Sequence, residues 1–134
     1  MVAHGTIAFD TLTTSDQVKT GTEKSLDTSY ILNGVAKSWI NFAGDGTSIN
    51  DSLGMSSLGD NAAGKYTITM SSAMGNTNYS VSQGIQEAGT ANNHATVLRS
   101  DVTITTTVFG VATYSSSTYQ DVTLVYEKIH GDLA

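Results

Sequence analysis

Cysteine is absent from the 134-residue chain, and this absence excludes disulfides, thiolate chemistry and cysteine-based zinc sites together. A chain of this length predicts one compact domain. A small domain without covalent or metal links needs another source of stability, and association with further copies of the chain is the simplest one left.

Basic residues are also few, and the 6 of them are scattered singly along the sequence. They form no positive stretch that could neutralise a row of phosphates, so we predict that nucleic acid is not a partner. The sequence has neither an apolar run long enough for a membrane span nor a basic-then-apolar leader. We therefore predict no membrane insertion and no secretion through a signal of its own.

Large apolar residues are scarce: 10 Val, 8 Ile, 8 Leu and 3 Phe make 29 in all, against 20 Thr, 16 Ser and 13 Gly. So thin a core is typical either of partial disorder or of a β protein that buries part of its surface against another subunit. Disordered chains usually carry far more charge than the 13% found here, where the net charge is −6. This composition favours a β oligomer.

Apolar and polar residues alternate at period two in several segments. In "AKSWINF", residues 36–42, Ile40 and Phe42 share one face while Trp39 lies on the other. Turns rich in Gly, Asn, Asp and Ser separate such segments, and this spacing predicts an antiparallel β-sandwich with little helix. We assign residues 1–28 to an N-terminal strand and an arm or linker, and residues 29–134 to the sandwich. Further half-buried strands are predicted at residues 7–9, 66–70, 79–81, 102–106 and 122–126.

The stretch "GDGTSIND", residues 44–51, has oxygen-bearing side chains of the kind that bind calcium. No Glu closes the loop, however, and the pattern therefore fails at the step that makes such a site tight. Asp45 and Gly46 are instead predicted to form a hairpin turn. The histidines, His4, His94 and His130, are too far apart for a zinc site within one chain. A three-fold axis could gather copies of one of them, but a polar surface or interface position is the favoured reading.

Catalytic signatures are missing from the sequence. It contains no Gly-x-Ser-x-Gly elbow, and no pair of carboxylates lies in a setting that predicts an acid and a base. Carboxylates that only the fold brings together stay open as an alternative. We predict a protein that is not an enzyme and that needs no cofactor and no metal.

Aromatic residues are the remaining candidates for function. Trp39 is the only tryptophan, and a tryptophan in a strand most often anchors a core or an interface. Tyr114 and Tyr119 bracket "SSST" in a predicted loop, and tyrosine with serine is the composition of adaptable binding loops. The alternative is that these tyrosines close one end of the sandwich.

Five short motifs follow one another between residues 33 and 81: "AKSWINF", "GDGT", "SLGMSSL", "DNAAGKYTI" and "MGNTNYSV". Their order resembles a block found in tail-fibre and other virion structural proteins of tailed bacteriophages, especially marine cyanophage-like ones. Around this block, residues 10–34 and the terminal "HGDLA" are similar to the flanking sequences of such proteins, while the match is weak between about residues 84 and 120.

This resemblance implies a homotrimeric β-sandwich at the end of a phage fibre, located in the virion and bound to other virion proteins. It implies binding to the host surface, through a glycan or an outer-membrane component. Trp39 becomes a structural anchor against another layer or subunit. The loops of the weakly matching region are the expected receptor-binding sites, because loops vary while the scaffold holds them; their candidate residues are Asn92, Asn93, His94, Tyr114 and Tyr119.

Two alternatives to receptor binding remain at this point. One is a capsid decoration or tail-assembly protein whose partners are only other virion subunits. The other is a fibre-tip enzyme that cleaves surface polysaccharide, which we favour least because the chain is shorter than the usual depolymerase barrels.

Overall fold

The computed structural model describes residues 11–13, 25–27, 34–87 and 93–134. These residues are almost entirely strands and turns, and every pairing between strands is antiparallel. The strands are β1 (Thr11–Thr13), β2 (Ser25–Asp27), β3 (Ser38–Ala43), β4 (Ile49–Leu53), β5 (Met55–Ala62), β6 (Lys65–Met70), β7 (Ser80–Gln86), β8 (His94–Leu98), β9 (Val108–Ser115), β10 (Thr118–Tyr119) and β11 (Leu124–His130).

The chain divides into two compact units, Met1–Val35 and Ala36–Ala134. In the first unit, β1 pairs with β2 and places Leu12 opposite Leu26. Most of the predicted N-terminal arm, including the strand predicted at residues 7–9, lies outside the described residues. All the other strands belong to the second unit.

Two antiparallel sheets form the second unit. The first sheet has four strands in the order β4-β3-β11-β7. The second sheet has five strands: four lie in the order β10-β9-β6-β5, and β8 also pairs with β9. β3 is therefore a central strand, since it lies between β4 and β11.

One apolar core joins the two sheets. Because side chains alternate between the two faces of a strand, Ile40 and Phe42 of β3 are buried while Trp39 is only half-buried on the opposite face. The Phe42 ring meets the Tyr66 ring of β6 edge-on, with 5.0 Å between ring centroids. The all-β prediction is confirmed, and the two sheets around one core are consistent with a β-sandwich. The buried core consists of Ile40, Phe42, Tyr66, Ile68, Met70, Met74, Phe109, Val111, Val122, Val125 and Ile129.

The turn between β3 and β4 forms at Asp45 and Gly46, as predicted. Gly46 has a φ of 71°, a conformation that glycine adopts without the steric cost other residues face. Its N–H donates to the carbonyl of Ala43 at 2.8 Å. The Asp45 Oδ1 accepts from both the N–H and the hydroxyl of Thr47, at 3.0 and 2.7 Å. The carboxylate therefore stabilises its own turn.

The strand predicted at residues 102–106 is wrong, because β9 begins only at Val108. The Thr105 hydroxyl accepts from the N–H groups of Thr107 and Val108 at 3.2 and 2.9 Å, and such local bonds compete with sheet pairing. Val102 instead covers the outer face of β9 at Gly110, where a Cβ would lie 2.7 Å from the Val102 Cβ. The alternation in this segment reflects packing without strand pairing.

Candidate binding surface

The hairpin of β9 and β10 brings Tyr114 and Tyr119 together. Ser116 and Ser117 at its tip have φ angles of 48° and 75°, which is the pair of left-handed conformations typical of a tight hairpin turn. The turn makes Tyr119 the direct partner of Tyr114. Since Thr113 points into the interior, the neighbouring Tyr114 points outward. Both tyrosines thus lie on the outer face of the second sheet.

Tyr119 is 50% exposed, and charged side chains lie in its vicinity. The Lys65 Nζ lies 4.1 Å from the ring centroid, a distance at which a cation is attracted to an aromatic face. The same Nζ lies 3.9 Å from Oδ2 of Asp101, whose side chain is 56% exposed. An open aromatic ring, an ammonium group and a carboxylate therefore share one small area, which we call the Tyr119 patch: Lys65, Arg99, Asp101, Tyr114 and Tyr119.

Arg99 holds the Asp101 carboxylate in place. Its Nε and Nη2 each donate to one oxygen of Asp101 at 2.9 Å, a two-point geometry that fixes orientation. Its Nη1 donates to Oδ1 of Asn61 at 2.6 Å. The hydrogen bonds from Arg99 lower the pKa of Asp101 to about 2, and the same bonds raise the pKa of Arg99. Asp101 is therefore an ionised acceptor at neutral pH.

The chemistry of the Tyr119 patch suits binding. A tyrosine ring can stack on the apolar face of a ligand, the Asp101 carboxylate accepts hydrogen bonds, and the Lys65 ammonium donates them. General acid catalysis needs a carboxyl group that holds its proton near the working pH, and the low pKa of Asp101 removes that ability. The arrangement can hold a polyhydroxylated ligand, and it offers no proton donor of the carboxyl type.

Asn93 and His94 lie beside the hairpin tip without joining the Tyr119 patch. The Asn93 amide donates to the Ser116 hydroxyl and accepts from the Ser115 hydroxyl, both at 3.0 Å. The amide is therefore engaged in holding the hairpin. Asn92 lies outside the described residues.

The sequence predicted a polar surface or interface position for His94. Its side chain is only 3% exposed, which contradicts the surface alternative and the exposed loop expected for receptor binding. His94 opens β8 opposite Ser115, and its ring turns inward like the side chain of Thr96 two residues on. The backbone N–H of His94 donates to Oε1 of Glu87 at 3.2 Å. Both ring nitrogens are buried and have no hydrogen-bond partner among the described residues. A buried ring cannot contact a receptor directly.

Trp39 lies outside the core, on the outer face of the first sheet. Its partners across the sheet are Leu53 of β4 and Lys128 of β11. Leu53 is 54% exposed. The role of Trp39 as an anchor against another layer or subunit stays a prediction.

Glu127 is a polar residue that the sequence analysis missed. It is 1% exposed, and its Oε1 accepts from Nε2 of Gln83 at 3.5 Å while Oε2 has no partner among the described residues. Burial raises its pKa to about 9, against a smaller opposing effect of the Gln83 hydrogen bond. The sequence carried a signal for this position, since Glu127 falls on the same face as Val125 and Ile129. Buried far from the outer faces, it is a neutral acid inside the core at pH 7.

Among the described residues, no group of three His, Asp or Glu side chains could hold a metal ion. In the loop of residues 44–51, Thr47 supplies the hydrogen bonds that lower the pKa of Asp45.

The described part of the chain contains no helix long and apolar enough to cross a membrane.

Comparison with known proteins finds no matching family model, no matching curated protein and no matching solved structure.

Proposed function

We propose that the chain is a virion protein of a tailed bacteriophage, a tail-fibre tip domain that binds a glycan or outer-membrane component of the host surface as a homotrimer. The resemblance of residues 33–81 to phage fibre proteins suggests this role. The observation that carries it is the Tyr119 patch, where an exposed ring lies beside a fixed carboxylate and an ammonium group.

Sugars present both apolar ring faces and hydroxyl groups. Tyr119 offers the flat surface for the first, and Asp101 and Lys65 offer an acceptor and a donor for the second. Because two hydrogen bonds from Arg99 hold the Asp101 carboxylate, little side-chain freedom is lost when a ligand binds, which lowers the cost of association. Pairing of Tyr119 with Tyr114 in the antiparallel hairpin acts in the same direction.

Trimer formation is supported by the composition. Only 29 of the 134 residues are Val, Ile, Leu or Phe, and burial between subunits adds apolar contacts that such a core lacks. Three copies of a weak site on one particle also raise the effective affinity for a surface that carries many ligands.

A glycan array of bacterial lipopolysaccharides and capsular polysaccharides tests the proposal. The fluorescently labelled protein should bind a subset of the glycans on the array. Tyr119→Ala and Asp101→Asn should each reduce that binding about tenfold or more. Thr118→Ala is the matched control, because Thr118 is exposed on the same strand but precedes Tyr119 and so faces the other side. Folding of each variant is checked by circular dichroism.

Three results would count against the proposal. Array binding that is equal in wild type and Tyr119→Ala would remove the Tyr119 patch as the site. A folded protein that binds neither array nor bacterial cells, and that antibody labelling places on a capsid, would favour a decoration protein. Release of reducing sugar from a bound polysaccharide would show an enzyme instead.

A further inference from the structure

The outer face of the first sheet carries two aligned rows of side chains. One row runs from Leu53 through Trp39 to Lys128, and the other from Asp51 through Asn41 to Tyr126. The four residues of β3 and β11 point away from the core, because their neighbours in sequence are buried. Leu53 and Asp51 of β4 share this face, because they are the direct cross-strand partners of Trp39 and Asn41. We call these six residues the Trp39 face.

The two outer faces of the sandwich differ in how far other residues of the chain cover them. On the second sheet, Val102 and the Cβ of Arg99 lie over Gly110, where a Cβ would meet them at 2.7 and 3.0 Å. On the Trp39 face, Leu53 remains 54% exposed, and Asp51 and Lys128 are exposed as well. An apolar and aromatic centre with open charged flanks has the composition of a protein interface.

The charges on the Trp39 face are arranged by sign. Asp51 lies on β4, at one edge of the sheet, and Lys128 lies on β11, two strands away. Neighbouring strands are about 4.8 Å apart, so these positions are separated by roughly 10 Å across the sheet. Trp39 lies on β3, between these two strands, and Tyr126 lies on β11, the strand of Lys128. Tryptophan and tyrosine residues supply much of the binding energy in protein interfaces.

We propose that the Trp39 face docks a second copy of this chain, with Asp51 of one copy placed beside Lys128 of the next. The acidic flank of one copy is complementary to the basic flank of its neighbour, and repetition around an axis satisfies both flanks of every copy. This inference rests on the self-association in the proposed function and assigns it a surface.

Charge exchange on the full chain tests the proposal. Lys128→Asp and Asp51→Lys each place like charges together, so each should raise the dissociation constant for self-association at least tenfold, measured by analytical ultracentrifugation. The double variant Asp51→Lys/Lys128→Asp restores opposite charges and should recover most of the association. Rising salt should weaken wild-type association, since exposed charges are screened.

Matched controls keep the test specific. Thr103 is exposed and directly follows Val102, which covers Gly110 of the second sheet. Thr103→Asp and Thr103→Lys should therefore introduce the same charges away from the Trp39 face, without an effect on association. Trp39→Ser should weaken association while the far-ultraviolet circular dichroism stays that of a β protein.

The outcomes separate this inference from the proposed function. A monomeric wild type at 100 µM, or an oligomer that none of the variants on the Trp39 face weakens, would overturn the inference. A dimer that depends on the Trp39 face would support the docking surface and contradict the trimer. If a variant of the Trp39 face loses association but keeps Tyr119-dependent binding to single glycans, the two surfaces are independent, which supports the inference. Association through the Trp39 face without any glycan binding would leave the docking surface standing and refute the receptor role.

Discussion

Replacing Glu127 by glutamine should stabilise the protein at neutral pH. Glu127 is 1% exposed, and burial raises the pKa of its carboxyl from the ordinary 4.5 to about 9. In the unfolded chain the same group ionises near its ordinary pKa. Between these two values the folded state binds one proton more than the unfolded state, so the free energy of unfolding falls as pH rises through this window.

The magnitude follows from the width of the window. Each pH unit above the ordinary pKa costs about 1.4 kcal/mol of stability, which gives a loss of roughly 3 kcal/mol at pH 7 and a ceiling near 6 kcal/mol above pH 9. Glutamine has nearly the same shape and cannot ionise, and its carbonyl can still accept the bond from Gln83. We therefore expect Glu127→Gln and wild type to be similarly stable near pH 4 and to differ by about 3 kcal/mol at pH 7.

Urea unfolding at pH 4, 5.5, 7 and 8.5 measures this difference, provided that the dependence on denaturant stays the same in both proteins. Asp60→Asn is the control, because it makes the same change from acid to amide at an exposed position of β5. Parallel pH profiles for wild type and Glu127→Gln would refute the reasoning, since they would mean that the buried carboxyl ionises without penalty.

Other predictions address packing, metals and the Trp39 face. Gly110→Ala should lower stability by about 1 to 3 kcal/mol in thermal unfolding, because the new Cβ would meet Val102 at 2.7 Å; an unchanged melting temperature would show that the covering segment yields easily. Chelation with EDTA should leave the melting temperature unchanged, since Asp45 is satisfied by Thr47, and a drop of several degrees would reveal a bound ion. Trp39→Ala should cost clearly less than the 3 to 5 kcal/mol typical of core aromatic truncations when measured on dilute protein, because the ring lies outside the core; a loss in that range would place it inside.

Local pattern was sufficient for strands that have one buried face and a strong turn signal. β3 and β6 alternate between buried and half-buried positions along their whole length, so period two identified both. β9 is buried at five successive positions from Phe109 to Thr113. That pattern arises because other residues of the chain cover its outer face, and alternation within β9 cannot express it.

Tertiary partners decided the features that sequence reasoning missed. β8 is a short strand whose pairing with β9 alone defines it, and its first residue, His94, was predicted to be in a surface loop. In the Tyr119 patch, Tyr114 and Tyr119 face each other across one hairpin, so their proximity could be predicted from the local sequence. Lys65, Arg99 and Asp101 come from distant parts of the chain, and the pairing of β6 with β9 brings Lys65 opposite Ala112 and thus near the hairpin.

The two proposed surfaces lie on opposite outer faces of the sandwich, and this separation has a mechanical consequence. The Tyr119 patch belongs to the second sheet and the Trp39 face to the first. When copies dock through the Trp39 face around an axis, the second sheets point outward, so every copy keeps its Tyr119 patch accessible. In the proposed assembly, self-association would therefore not compete with ligand binding. It would multiply the number of sites that one oligomer presents to a surface, with a gain in avidity that depends on their spacing. Glu127 lies in the core between the two sheets, where its ionisation affects the stability of the scaffold that holds both surfaces.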